Sequence, residues 1–204
     1  GGRNSITIAL IVTALTMIIG LVVGIVSGYY GGRVDNFIMR LVDFVMIIPG
    51  FILFITLNTI LKANTVLGIS LTFSVIYWTS YARLFRTRTL SEASKDYINA
   101  SKTMGTRDWK IMLTELLPNI SSLIITQLVL SMAGNIGLET GLSYLGFGLP
   151  IGTPSLGTLI GTAKTADIIE NKQWVWLPAA LFILVLMLCI NYIGQAVQRS
   201  TDAR

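Results

Sequence analysis

An all-α integral membrane fold of about five transmembrane helices is what this chain predicts, and three observations predict it. Hydrophobic residues fill 53% of its 204 positions and charged residues only 12%, about half the charged fraction of a soluble domain. Five long apolar runs recur along the chain, each bounded by polar or basic residues. Between the third and fourth lies a charged, helix-patterned stretch, Lys95 to Asn119.

The apolar runs are Ile6–Val26, Phe44–Leu61, Val66–Trp78, Ile120–Ala133 and Val175–Ile190. A bilayer crossing needs about 20 mainly apolar residues. The first run meets that alone and the others do so with their mildly polar flanks. The spans then fall at about Asn4–Gly28, Asn36–Leu61, Val66–Arg88, Asn119–Phe147 and Trp174–Gln198. In the first, Gly20, Gly24 and Gly28 form a ladder at four-residue spacing, a face for close packing within this chain or against a second one. Pro49-Gly50 predicts a kink in the second. Residues 149–173, with Pro150, Pro154 and several glycines, predict an external loop with short helical or re-entrant parts, followed by Trp174 and Trp176 at the interface.

Gly1 is not an initiator methionine, and Ile6–Val26 is too long for a signal-peptide core and lacks a small-x-small cleavage site. The expectation is one transmembrane domain, residues 1–204, that lacks its N-terminal part. The odd number of spans suits one missing helix.

Lysine and arginine placement sets the orientation. One side carries Arg33, Arg40, Arg83, Arg86, Arg88, Lys95, Lys102, Arg107, Lys110, Arg199 and Arg204. The other has Arg3, Lys62, Lys164 and Lys172, so the fifteen basic residues divide eleven to four. The bias toward basic cytoplasmic loops puts residues 89–118 in the cytoplasm and 149–173 outside. Because the basic residues flank spans, the net charge of +5 reflects topology and no nucleic-acid surface is predicted.

The cytoplasmic stretch reads as two short helices. Tyr97, Ala100, Ser101 and Met104 recur at helical spacing. Gly105 stands where a left-handed glycine closes a helix. Thr106 can cap the second helix, and Asp108 in its first turn suits the dipole. Trp109, Met112, Leu113 and Leu116 form an apolar stripe, and Pro118 marks a break before the next span. A helix pair lying on the membrane surface would show the same spacing.

No catalytic set is legible. The chain has no histidine, and Cys189, alone in the last span, makes neither a disulfide framework nor a thiolate metal site. It has no phosphate loop of the form G-x-x-x-x-G-K-[ST], and Gly157 to Thr165 imitates one only with the wrong spacing. Asp43, three residues after Arg40 near the cytoplasmic end of its helix, suggests a structural ion pair or bundle contact, with gating as the alternative. Glu139 follows Gly134, Asn135 and Gly137, a polar, glycine-rich stretch that is not aimed at lipid. Asn135 and Glu139 are therefore candidates for interhelical hydrogen bonding or for lining a pathway or gate.

The run Asn99-Ala100-Ser101, three residues, Gly105, nine residues, Glu115, one residue, Leu117-Pro118 resembles the EAA loop of ABC importer permeases. The family pattern is E-A-A, three residues, G, nine residues, I, one residue, L-P. The chain departs from it at Asn99, Ser101 and Glu115, while Ala100, Gly105, Leu117, Pro118 and every spacing match. Gly28 to Asn36 (GYYGGRVDN), Met39 to Asp43 (MRLVD), Tyr81-Ala82-Arg83, Asp96-Tyr97-Ile98, Leu117-Pro118-Asn119 and Leu142 to Gly148 (LSYLGFG) are similar to the C-type permease of dipeptide, oligopeptide and nickel importers. That similarity runs from Gly2 to about Ala203.

The resemblance implies the ABC type I importer permease fold in a prokaryotic cell membrane. It implies a coupling helix docked on an ATPase, with Tyr97, Ile98, Asn99, Ala100, Ser101, Met104, Gly105, Leu117 and Pro118 as the coupling residues. It also implies a second homologous permease, two ATPase subunits or domains that hold the ATP and Mg, and an extracytoplasmic substrate-binding protein. This chain then needs no cofactor and is no enzyme. The alternative is an ion-coupled secondary transporter or channel subunit, which expects inverted repeats and polar coordination at mid-membrane.

Overall fold

The computed structural model describes residues 1–150 and 152–202, and every regular element among them is helical. In chain order these are α1 (Gly2–Tyr30), α2 (Gly32–Ile47), α3 (Gly50–Leu61), α4 (Val66–Ala93), α5 (Asp96–Thr103), α6 (Asp108–Ile111), a π turn (Met112–Leu116), α7 (Leu117–Asn119), α8 (Ser121–Leu145), α9 (Leu156–Gly161), α10 (Ala166–Asn171) and α11 (Leu177–Asp202). Single 3₁₀ turns flank α10.

Among the described residues, α1, α8 and α11 are each long and apolar enough to cross a membrane. The second predicted span is not one helix. α2 and α3 pass the same test only together, and they meet at a bend of 80°. Pro49 is the cause, because it offers no N–H and forces the preceding residue out of the helical region. Ile48 accordingly sits extended at φ −82°, ψ 127°. The expected kink is a break. α4 is 28 residues long, with Arg83, Arg86, Arg88 and Glu92 in its C-terminal turns.

α1 is the hub. Its most extensive partner is α4, and the glycine ladder is the reason. A β-carbon on Gly24 would stand 2.7 Å from the Ala82 carbonyl oxygen, and one on Gly28 2.7 Å from the Thr89 β-carbon. The ladder therefore faces α4 inside this chain rather than a second one. Close backbone approach of this kind gives the dispersion contact that holds helices together where the surrounding lipid is as apolar as the side chains.

Three apolar clusters follow, and α1 supplies each. Ile8 and Val12 meet Phe54, Phe73 and Leu142, with the two phenyl rings stacked at 4.2 Å between centroids. Ala9 meets Ala133, Ile136, Leu156 and Ile183. Tyr29, at the other end, meets Ile98, Ile111 and Leu116 of the charged stretch. The predicted external loop does contain short helices. Ser155 and Thr158 cap α9 reciprocally, and Ser5 of α1 accepts from the Leu156 N–H at 3.0 Å.

Candidate functional site

The chain leaves α4 through Ser94 and an extended Lys95 (φ −76°, ψ 152°) before α5 begins. Asp96 in the first turn and Lys102 in the last complement the helix dipole. α5 then ends as the glycine predicts. Gly105 has φ +81°, its N–H donates to the Lys102 carbonyl at 3.0 Å, and the Thr106 N–H donates to the Ser101 carbonyl at 3.1 Å. That pair of bonds is a Schellman closure. No atom outside the glycine's immediate chain neighbours lies within 4 Å of where a β-carbon would sit, so the demand for glycine here is purely conformational.

The second helix differs from its prediction. Arg107, not Thr106, occupies the N-cap position, with no side-chain cap bond. The apolar stripe is also displaced: Trp109 and Leu113 point outward, while Ile111 and Leu116 are fully buried. Those two are five residues apart, and the π turn explains it. Pro118 has no N–H for the Thr114 carbonyl one turn back, and the helix loosens over Met112–Leu116. The Asn119 side-chain amide donates to the Glu115 carbonyl at 2.7 Å. The break before the next span comes at Ile120, two residues past the proline.

The predicted coupling residues divide by face. Tyr97, Asn99, Ala100, Met104, Gly105 and Pro118 are exposed, Ser101 and Leu117 are half-buried, and Ile98 is wholly enclosed. Among the large hydrophobic side chains of the loop Met104 is the most exposed, at 77%. Ile98 packs on Tyr29, Ile111 and Leu116 of its own chain and has no surface to give a partner.

Polar ties fix this loop to the spans. The Glu92 carboxylate, buried at the end of α4, accepts from Lys95 Nζ at 2.7 Å and from the Tyr97 hydroxyl at 3.0 Å. Burial, then the Glu92 carboxylate, pushes the Tyr97 phenol up to about 12, so it remains a donor at neutral pH. The Ser101 hydroxyl donates to Glu115 Oε2 at 2.9 Å. Both residues depart from the EAA pattern, and they meet across the helix pair. The Tyr29 hydroxyl donates to Asp108 Oδ1 at 2.8 Å, and Lys102 Nζ lies 4.5 Å from the centre of the same ring. Beside it, Asp35 of α2 accepts from Ser27 of α1 and is bridged by the Arg86 guanidinium of α4. Sequence reasoning gave Asp35 no partner, since Arg86 lies 51 positions away. Asp43 makes its structural ion pair with Arg83 of α4, at 2.5 Å, across two helices.

The two candidates in α8 lie inside the bundle. Asn135 donates to the Thr13 hydroxyl of α1 at 2.9 Å, an interhelical bond. Glu139 is 1% exposed and accepts from Ser143 at 2.7 Å. Neither lines the cavity of about 820 Å³ at the end of the bundle away from α5, whose walls include Asn58, Lys62, Tyr144, Gly146, Thr158 and Lys164. Lys164 Nζ sits there 5.3 Å from the Tyr144 ring centre. Among the described residues, no group of three or more histidine, cysteine, aspartate or glutamate side chains could hold a metal ion.

The fold is a helical membrane bundle with a short helix pair at its basic end. Residues 20–203 match the model of the "Binding-protein-dependent transport system inner membrane component" family, and the chain belongs to that family. It is 47% identical over 202 residues to the oligopeptide transport system permease protein OppC of Lactococcus lactis subsp. lactis, covering 99% of this chain and 69% of that protein. It is 32% identical over 206 residues to the inner membrane ABC transporter permease protein YejE of Escherichia coli, covering 99% of this chain and 58% of that protein. An inward-facing structure of the MetNI methionine ABC transporter superposes with a TM-score of 0.75 at 18% identity, covering 97% of this chain and 93% of the other. At that identity the likeness is one of fold. The chain is therefore a non-catalytic, multi-pass permease subunit of a prokaryotic ABC importer in the inner membrane. Family membership decides against the ion-coupled transporter or channel.

Proposed function

We propose that this chain is the C-type permease half of a peptide importer, with di- or oligopeptides as cargo. Dipeptide and oligopeptide permeases among its relatives support that cargo over nickel. It pairs with a second, homologous permease, two ATPase subunits and an extracytoplasmic binding protein. It crosses the membrane five times, with α4 as the third span and the bent α2–α3 pair as the second.

The observation that carries the proposal is α5: a short helix closed by Gly105, exposed along Asn99, Ala100 and Met104, and anchored beneath by Ile98. Tyr97 and Ser101 hold it against Glu92 and Glu115, and Leu117-Pro118 ends the loop. In this role α5 seats in the ATPase, and closure of the ATPase dimer moves it. The spans then exchange an inward-open for an outward-open arrangement. ATP and Mg are held by the ATPase subunits. The outer cavity beside α9 is where we place the contact with the binding protein. Asn135 acts in this scheme as polar glue between α1 and α8, while Glu139, bonded within α8 by Ser143, is a buried carboxylate beside the moving pathway.

Reconstitution tests this. Proteoliposomes holding this chain, the partner permease, the ATPases and the binding protein should accumulate a labelled peptide with ATP and fail when any one component is omitted. Uptake by this chain alone would overturn the proposal.

A further inference from the structure

The segment Gly28 to Asn36 is a family-like motif to which coupling through α5 gives no work. Its second residue, Tyr29, sits in the last turn of α1 and is 6% exposed. Four independent contacts converge on this one side chain. Its hydroxyl donates to Asp108 at 2.8 Å, 79 positions away, at the start of α6. Lys102, in the last turn of α5, lies over its ring at 4.5 Å. Ile98, Ile111 and Leu116 close around it. Tyr30 meets its edge at 5.2 Å.

We infer that Tyr29 is a positioning residue that fastens the cytoplasmic helix pair to α1, so that motion received by α5 is delivered to α1 as a rigid body. The inference rests on α5 being the ATPase contact proposed above. The chain itself joins α5 to α4 through two residues, and that joint includes an extended Lys95, a hinge rather than a strut. Glu92 bridges the hinge at the N-terminal end of α5 only. The C-terminal half, where Met104 is presented, is tied by Ser101 to Glu115 within the helix pair, and the pair is fastened to α1 by Tyr29 through Lys102 of α5 and Asp108 of α6. A carboxylate acceptor makes this hydrogen bond stronger than a neutral pair. The ring buries apolar surface and offers its face to a cation in the same place. Beyond Tyr29, the Gly20, Gly24 and Gly28 seam locks α1 to α4, and Ser27 and Arg86 lock α2 to both through Asp35. A displacement entering at Tyr29 is thus shared by three helices at once. Contiguous packed and hydrogen-bonded elements are how such coupling travels.

The test uses the complete reconstituted complex with Cys189→Ser and spin labels at Thr103→Cys on α5 and Val22→Cys on α1, both exposed positions. With Tyr29 intact, the distance between the labels should be the same without nucleotide and with trapped ATP-vanadate. Tyr29→Phe keeps the ring and its packing and removes only the hydroxyl. It should let that distance change by more than about 2 Å, the scale of ordinary helix shifts. Transport per ATP hydrolysed should fall about three- to tenfold, as loss of one hydrogen bond allows. Asp108→Asn retains an acceptor and should behave as the parent; Asp108→Leu should behave as Tyr29→Phe. A label distance that already moves with nucleotide in the parent, or one that stays fixed in Tyr29→Phe, overturns the inference. Failure of the parent to carry peptide, with its label distance constant, sinks the cargo proposal and leaves this one standing.

Discussion

The α1–α4 seam makes the sharpest quantitative prediction. At Gly24 an added methyl would stand 2.7 Å from the Ala82 carbonyl oxygen, 2.8 Å from the Phe85 β-carbon and 2.9 Å from the Arg86 nitrogen. Two of these three are backbone atoms of α4, so no side chain can swing aside. Ordinary contact begins near 3.4 Å, and the helices would have to part by about 0.7 Å along their largest interface. Overpacking of this kind costs about 1–3 kcal/mol, against about 1 kcal/mol gained by replacing a helical glycine with alanine. With a rigid neighbour the cost lies at the upper end, and Gly24→Ala should destabilise by about 2 kcal/mol. Gly134 in α8 is the internal control, because nothing lies within 4 Å of its missing β-carbon. Gly134→Ala should keep the full helical gain. The two variants should therefore differ by about 3 kcal/mol, or roughly 6–12 °C in melting temperature for a chain of this size. The assay is thermal loss of the monodisperse complex in detergent. Equal melting of Gly24→Ala and Gly134→Ala would refute the argument that this seam is built by close backbone approach.

Other outcomes follow from the cytoplasmic loop. Gly105→Val places a β-branched residue at φ +81°, where an L side chain costs about 1–2 kcal/mol. Membrane insertion should survive, but uptake per ATP should drop in proteoliposomes, and wild-type coupling would discard the Schellman closure as a requirement. Ser101→Ala should leave Glu115 short of its donor, and Glu115→Ile should leave the Ser101 hydroxyl half-buried without its acceptor. The double variant restores an apolar pair of the EAA kind, so a double-mutant cycle on complex stability should give a coupling energy of about 1 kcal/mol. Strict additivity would mean that the pair does not interact.

Much of this architecture was legible from residues alone, and the exceptions share a cause. The apolar runs located α1, α8 and α11, the glycine spacing located the tight face of α1, and Gly105 located the end of α5. These are local signals, in which a few residues carry the whole physical requirement. The bend at Pro49 was foreseen in place but not in size, because a proline states that a helix is interrupted and leaves the angle to packing. The outward turn of Trp109 and Leu113 was missed because the 3.6-residue period was carried through a π turn. Pro118 was the available signal for it. Asp43 does form a structural ion pair, but its partner, Arg83, stands on another helix and is not named by spacing along the chain. Asp35, Ser27 and Arg86, like Tyr29 and Asp108, meet only through the fold. Ile98 faces inward for the same reason: the pattern of α5 gives two sides, and only the cluster beneath it decides which is covered.

The central claim is that α5 receives the ATPase, and Met104, the most exposed large hydrophobic side chain of that loop, tests it most directly. Met104→Cys in the Cys189→Ser background would be treated with a short bifunctional thiol reagent in the assembled complex, with and without trapped ATP-vanadate. The account predicts an adduct between this chain and the ATPase subunit whose yield changes with nucleotide state. An adduct that forms only with the partner permease, or equal capture of the ATPase in both states, would contradict it.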